Sequence, residues 1–267
     1  MTLNNILRYY ILIVGLGIGI LGQAQDVLAQ SGRRTNELTP YEIGYTATFL
    51  MGNNAAKGLI VVPDENHVGN VTGSNIVGGQ STISARMNFE VGSSRKLIIP
   101  LGVDVMFFRG LQRLETSTDL GRASVDINIT SIVAGLQYRF VDLPLSDAFL
   151  YGGVEARGSF CGGPHFVYAV EDKITHQPLP EYSLDSTLKE SVFRFGGAAR
   201  VGVQGILSDP LRINISYAYG AINLIGRDLR ATAKDRRGEL LTPSTLNETS
   251  ESVVFFSQFS LMLQYRF

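Results

Sequence analysis

Apolar side chains recur at every second position along most of the chain, and eight stretches of about ten residues keep that period, the length that crosses a bilayer at a 45° tilt. A strand sends successive side chains to opposite faces, so each stretch divides into an oily face and a polar one. The first four oily faces are Tyr41, Ile43, Tyr45, Ala47, Phe49 and Met51; Ile83, Ala85, Met87, Phe89 and Val91; Leu97, Ile99, Leu101, Val103, Val105 and Phe107; and Ile132, Ala134, Leu136, Tyr138 and Phe140. The next three are Leu150, Val154, Ala156 and Phe160; Phe193, Phe195, Ala199, Val201 and Val203; and Leu211, Ile213, Ile215, Tyr217 and Tyr219. The eighth stretch runs from Val253 to Phe267.

None of these positions is charged, although 18% of the chain is. A Lys or Arg facing lipid at the bilayer midplane costs about 2 to 4 kcal/mol. The opposite parity carries Glu42, Arg86, Glu90, Asp104, Glu155, Arg157, Arg194, Arg200 and Arg212, with Arg139 and Arg266 near the ends of their stretches. Four acids and five arginines in that set predict pairing inside a cylinder rather than a ring of one sign.

Connections alternate in length. Gly92 to Lys96, Val141 to Ala148 and Ile206 to Pro210 are short and rich in turn residues, whereas Gly52 to Gln80, Arg109 to Ser124, Cys161 to Ser191 and Ala221 to Ser252 are long. Short turns on one side and long loops on the other belong to membrane barrels, and an even strand number leaves both ends on the short-turn side. The fold class predicted is therefore all-β, an eight-stranded antiparallel up-and-down transmembrane β-barrel. Two further crossings, at Gly58 to Val62 and Phe166 to Val170, would make ten strands, but both are short. In the fourth stretch Val125, Ile127 and Ile129 have the opposite parity to Ile132, which calls for a bulge near Thr130 or an extension above the membrane. A soluble barrel has the same period with the faces reversed, apolar inside and charged outside.

Ahead of the first stretch, Arg8 precedes an uncharged run of about thirteen residues, Tyr9 to Leu21, and small residues follow. This predicts a signal peptide over 1–29, cleaved after Ala24 or Ala29, then a periplasmic segment over 30–40 and the barrel over 41–267. Within the run, Gly17-Ile18-Gly19-Ile20-Leu21-Gly22 matches a dinucleotide-binding fingerprint in spacing only, because no strand precedes it. The net charge of -1 offers nothing to nucleic acid, and the single cysteine, Cys161, excludes an internal disulfide.

The final alternation Phe259, Leu261, Leu263, Tyr265, Phe267 closes on an aromatic, and Leu263-Gln264-Tyr265-Arg266-Phe267 repeats Leu136-Gln137-Tyr138-Arg139-Phe140 in type and order. That ending resembles the sorting signal of outer-membrane β-barrels, and the chain as a whole resembles the small OmpA- and OmpX-type barrel proteins. The resemblance implies a bacterial outer-membrane location and assembly by the barrel-insertion machinery, with Phe259, Leu261, Leu263, Tyr265 and Phe267 as the segment it reads. Expected partners are outer-membrane lipid and lipopolysaccharide, and a monomer is expected; Arg227, Arg230, Lys234, Arg236 and Arg237 in the last loop are candidates to bridge lipopolysaccharide phosphates, although the interspersed Asp228, Asp235 and Glu239 favour a merely solvated loop.

An eight-stranded barrel is only wide enough for its own side chains, which argues against an open pore. The role expected is non-enzymatic, in envelope integrity or surface interaction through the long loops, with no cofactor. A narrow passive pore is the first alternative and a lipid-modifying enzyme the second. For the latter, His67, His165 and His176 all fall in proposed loops, and Cys161 with His165 matches no nucleophile or zinc spacing.

Overall fold

The protein's computed structural model describes residues 41–62, 70–92, 94–143, 148–187, 189–208, 211–225, 240–243 and 253–265. The expected signal peptide, Arg266, Phe267, His67 and the basic residues of the last loop lie outside them. Among the described residues the strands, in chain order, are β1 Tyr41–Met51, β2 Val61–Val62, β3 Asn70–Val71, β4 Gln80–Val91, β5 Leu97–Glu115 and β6 Asp119–Leu143. They continue with β7 Ala148–Cys161, β8 His165–Asp172, β9 Leu184–Thr187, β10 Val192–Ser208, β11 Leu211–Ile225 and β12 Val254–Tyr265.

Eight of them, β1, β4, β5, β6, β7, β10, β11 and β12, pair in chain order, and pairings β1–β12 and β5–β6 leave the ring no free edge. Every pairing is antiparallel, so the ring is an up-and-down barrel. Tyr41 opposite Tyr265 puts the first and last strands at the short-turn end, as the even strand number requires. Neither of the extra stretches joins the ring. Val61–Val62 pairs with Asn70–Val71, and Phe166 to Val170 lies in β8, which pairs with β6.

The faces are sorted as a bilayer demands. Ile43, Tyr45, Ile132, Leu136, Val154, Phe195, Val201 and Tyr217 stand exposed on the outside, as do Phe259, Leu261, Leu263 and Tyr265. Glu42, Arg86, Asp104, Glu155, Arg157, Arg194 and Arg200 are buried inside. A soluble barrel would show the reverse. Met87 and Val105 depart from the expected oily exterior: both have outward parity yet are buried.

The fourth stretch needs no bulge at Thr130. Its ladder to β5 keeps one register from Leu97↔Tyr138 to Glu115↔Leu120, and Val125, Ile127 and Ile129 simply point inward, continuing the parity of Ser131 and Val133. The register shift comes lower, between Arg139 and Val141. Nor is Arg109 to Ser124 a loop. β5 has 19 residues and β6 has 25, far more than the roughly ten that span a bilayer, so both run on past the ring as a hairpin. Its turn is closed by Thr116 N–H to the Asp119 carbonyl (2.9 Å) and by Asp119 N–H to Thr116 Oγ1 (2.9 Å). β8 replaces β7 beside β6 from Asp126 to Asp119, and β9 pairs with β8. The result is a four-stranded flap, β5–β6–β8–β9, at the long-connection end.

Candidate functional site

The barrel interior has two zones. Near the middle of the ring, Asp104 forms ion pairs with Arg86 at 2.7 Å and with Arg157 at 2.8 Å; Arg157 also reaches Glu155 at 3.0 Å, and Glu155 accepts from Arg200 at 2.5 Å. Four strands supply this alternating chain of charges. Glu42 sits directly across the ladder from Arg86 and accepts from Asn214 Nδ2 at 3.1 Å, which brings the cluster to three carboxyl groups and three guanidiniums. Buried ions demand this completeness, because one partner left alone costs about 3 to 5 kcal/mol.

Neutral groups complete the network. Arg157 Nη2 donates to Gln258 Oε1 (2.8 Å), whose amide donates to Thr48 Oγ1 (3.1 Å); Arg200 Nη1 donates to Ser216 (2.8 Å) and Ser260 (3.3 Å). Tyr151 donates to Asn214 Oδ1 at 2.9 Å. The guanidinium of Arg157 also lies 5.1 Å from the ring centre of Phe256, at the border of the second zone. Sequence reasoning passed over Gln258, Asn214, Thr48 and Tyr151 because it counted only ionised residues, although parity already placed all four inside.

Room for the arginines comes from residues without side chains. A Cβ on Gly102 would lie 2.6 Å from Arg86 Cδ and would strike the Ala85 carbonyl, so a glycine opposite Arg86 lets the guanidinium fold across a narrow lumen. Toward the short-turn end, Glu90 pairs with Arg139 at 2.6 Å, and the Arg139 guanidinium stacks 3.9 Å above the Phe149 ring. Arg212 is half-buried on the same side, and Arg194, further up its strand, donates to the Phe193 carbonyl at 2.9 Å.

The second zone fills the long-connection end and is apolar. Inward residues Met106, Phe108, Val125, Ile127, Ile129, Ile222 and Phe256 form its wall. Ala56, Ile60, Val61, Ile76, Leu240 and Leu241, from the first and last long connections, are buried against them. The first connection is pinned by Gln112 of β5. Its Oε1 accepts from the Ile60 and Val61 amides (2.6 and 2.9 Å), and its Nε2 donates to the Val61 carbonyl (2.8 Å), imitating one rung of a sheet. Asn75 Nδ2 donates to the Leu111 carbonyl at 2.5 Å, and Ser74 Oγ donates to the Leu241 carbonyl, tying the two connections together. Gly110 is a glycine because the Ser74 carbonyl occupies the place of its Cβ.

Cys161 and His165 do not form a reactive pair. Cys161 is buried in the apolar zone, whereas His165 Nε2 faces Asp185 at 2.8 Å on the exposed flap. Among the described residues no group of three or more His, Cys, Asp or Glu side chains is placed to hold a metal ion.

No protein-family model and no curated protein matches the sequence. Among solved structures, the chain is similar to Neisserial surface protein A (12% identity, 85% of this chain and 96% of that one, TM-score 0.39). It is also similar to Ail, the attachment invasion locus protein of Yersinia pestis, in complex with the heparin analogue sucrose octasulfate (16%, 86% and 99%, TM-score 0.38). A third is outer membrane protein H of P. aeruginosa (15%, 85% and 99%, TM-score 0.35). At such scores the likeness carries no weight for function.

Proposed function

We propose that this chain is a non-enzymatic bacterial outer-membrane barrel that is sealed to solutes and acts through the surface it displays at its long-connection end. The observation that supports this reading is the double filling of the lumen: a charge-balanced network across the middle, then an apolar packing of wall and loop residues above it. Ions crossing the first zone would have to break the pairs of Asp104 and Glu155. At the second they would have to leave water for hydrocarbon, which is costlier still. The N-terminal stretch would direct export, and Phe259, Leu261, Leu263, Tyr265 and Phe267 would be read during membrane insertion. Lipid and lipopolysaccharide would surround the exposed aromatic exterior, and the flap would stand outside the cell.

Two measurements test the reading. Refolded protein in a planar bilayer is expected to give no stable conductance steps; reproducible open steps would favour a passive pore. A cysteine introduced as Leu111→Cys, on the exposed flap face, is expected to react with an impermeant maleimide on intact cells. Protection until lysis would place that end in the periplasm.

A further inference from the structure

We propose that Arg113 and Arg122, on the outer face of the flap, form a binding site for the phosphate groups of a phosphorylated saccharide. The proposal rests on reading the long-connection end as the outer surface.

The ladder β5–β6 sets Arg113 directly opposite Arg122, and both side chains are exposed. Facing residues in an antiparallel pair have Cβ atoms about 5 Å apart, and like charges in that position repel. A sheet ordinarily relieves such a pair with neighbouring carboxylates, and this face has four: Glu115, Asp126, Glu171 and Asp185. Two hold other cations, and the other two face histidines. Glu115 holds Lys173 at 2.5 Å, Asp126 holds Arg109 at 3.3 Å, Asp185 meets His165 at 2.8 Å, and Glu171 lies 3.9 Å from His176. Among the described residues neither Arg113 nor Arg122 takes part in an ion pair.

The two arginines are exposed cations without an ion-pair partner among those residues, carried on facing positions of a paired hairpin, with Ala169 beside Arg122 offering no bulk and the Ser124 hydroxyl one step along the same face. Planar guanidinium forks match phosphoryl oxygens two bonds at a time. Height selects the source. Arg113 lies six residues beyond Phe107, the last outward aromatic of β5, which is about 20 Å of strand and on the order of 14 Å of height at a 45° tilt. That is above a phospholipid headgroup layer of about 5 to 8 Å, so the partner is the sugar-phosphate region of a glycolipid or the same glycan free in solution.

The full-length protein is titrated in detergent micelles with labelled phosphorylated oligosaccharide released from lipopolysaccharide by mild acid. It is also compared in phosphatidylcholine vesicles with and without intact lipopolysaccharide. The double variant Arg113→Gln with Arg122→Gln is expected to bind at least tenfold more weakly, whereas Arg109→Gln, whose cation is already paired, changes binding less than twofold. Saturating oligosaccharide should raise Tm for the unmodified chain only, although the double variant without ligand is no less stable. Binding in the vesicle arm alone assigns the site to glycolipid in its own membrane; binding in both arms admits free glycan. No binding in either arm, equal binding by the double variant, or equal loss in Arg109→Gln overturns the proposal. Failure of the surface reading is separate, since Leu111→Cys would then be protected on intact cells while binding in micelles persisted.

Discussion

The two zones of the lumen are walled by the same kind of strand yet are filled by opposite chemistries. In the middle of the ring the outside is oily, so alternation sends polar residues inward, where Arg86, Arg157 and Arg200 pair with Asp104 and Glu155 while Asn214 holds Glu42. Past the ring β5 and β6 no longer meet lipid. Parity does not change at that border; composition does. Ser131 and Val133 are followed upward by Ile129, Ile127 and Val125 on the same inward face, and the exterior turns from Ile132 to Asn128 and Asp126. The chain is inside-out where it meets hydrocarbon and the usual way round where it meets water, and one unbroken strand does both.

The comparison breaks most visibly at Arg157, which joins Asp104, Glu155, Gln258 and Phe256. Arg157→Leu leaves two carboxylates sharing too few cations and is expected to cost about 3 to 5 kcal/mol in reversible urea unfolding from micelles. Ile60→Ala in the apolar zone is expected to cost about 2 to 4 kcal/mol, through lost transfer energy and an unfilled cavity. A cost below about 1 kcal/mol would mean that the loop residue is not packed as the structure has it. If the seals act in series, neither variant alone raises bilayer conductance, and only the pair together does.

Gln112→Ala sharpens the contrast at smaller scale. It removes three hydrogen bonds to Ile60 and Val61 but no apolar packing, so a loss of about 1 to 2 kcal/mol is expected. Hydrogen exchange should quicken at the Ile60 and Val61 amides while those of the ring strands stay protected. Quickening throughout the barrel would show that the apolar zone is not a separate layer.

Much of this was legible beforehand. Apolar residues at every second position set the phase of each ring strand, and the paired charges Arg86 with Glu90 and Arg194 with Arg200 agreed with the phase so chosen. The seam between the zones was visible as well, in the clash of phase at Thr130, but two explanations fitted it and only the pairing decides for an extension. What stayed hidden depends on distance in three dimensions. No local pattern tells that Gln112 will hold Ile60 and Val61, or that Ser74 will reach Leu241, because loop docking has no period. The flap was hidden for a related reason: Arg109 to Ser124 mixes charged, small and apolar residues on both faces, so the alternation that marks lipid contact fades where lipid ends.

The smallest effect lies furthest from the membrane, at the β8 turn, where geometry alone shifts a carboxylate. Asp172 Oδ1 accepts from the Ile174 amide (2.9 Å), the Thr175 amide (2.6 Å) and the Thr175 hydroxyl (2.9 Å), and these donors hold its pKa below the ordinary value. A depressed folded pKa contributes stability that is present above the unfolded value, about 3.9, and is lost as pH falls through the folded one. Asp172→Asn is therefore expected to quicken exchange of the Thr175 amide at neutral pH, with the difference from the unmodified chain closing as the solution is acidified below pH 4. A difference that persisted in acid would trace the turn to shape rather than charge. Because the turn touches neither seal, conductance should stay unchanged, which separates the water-exposed flap from the two zones beneath it.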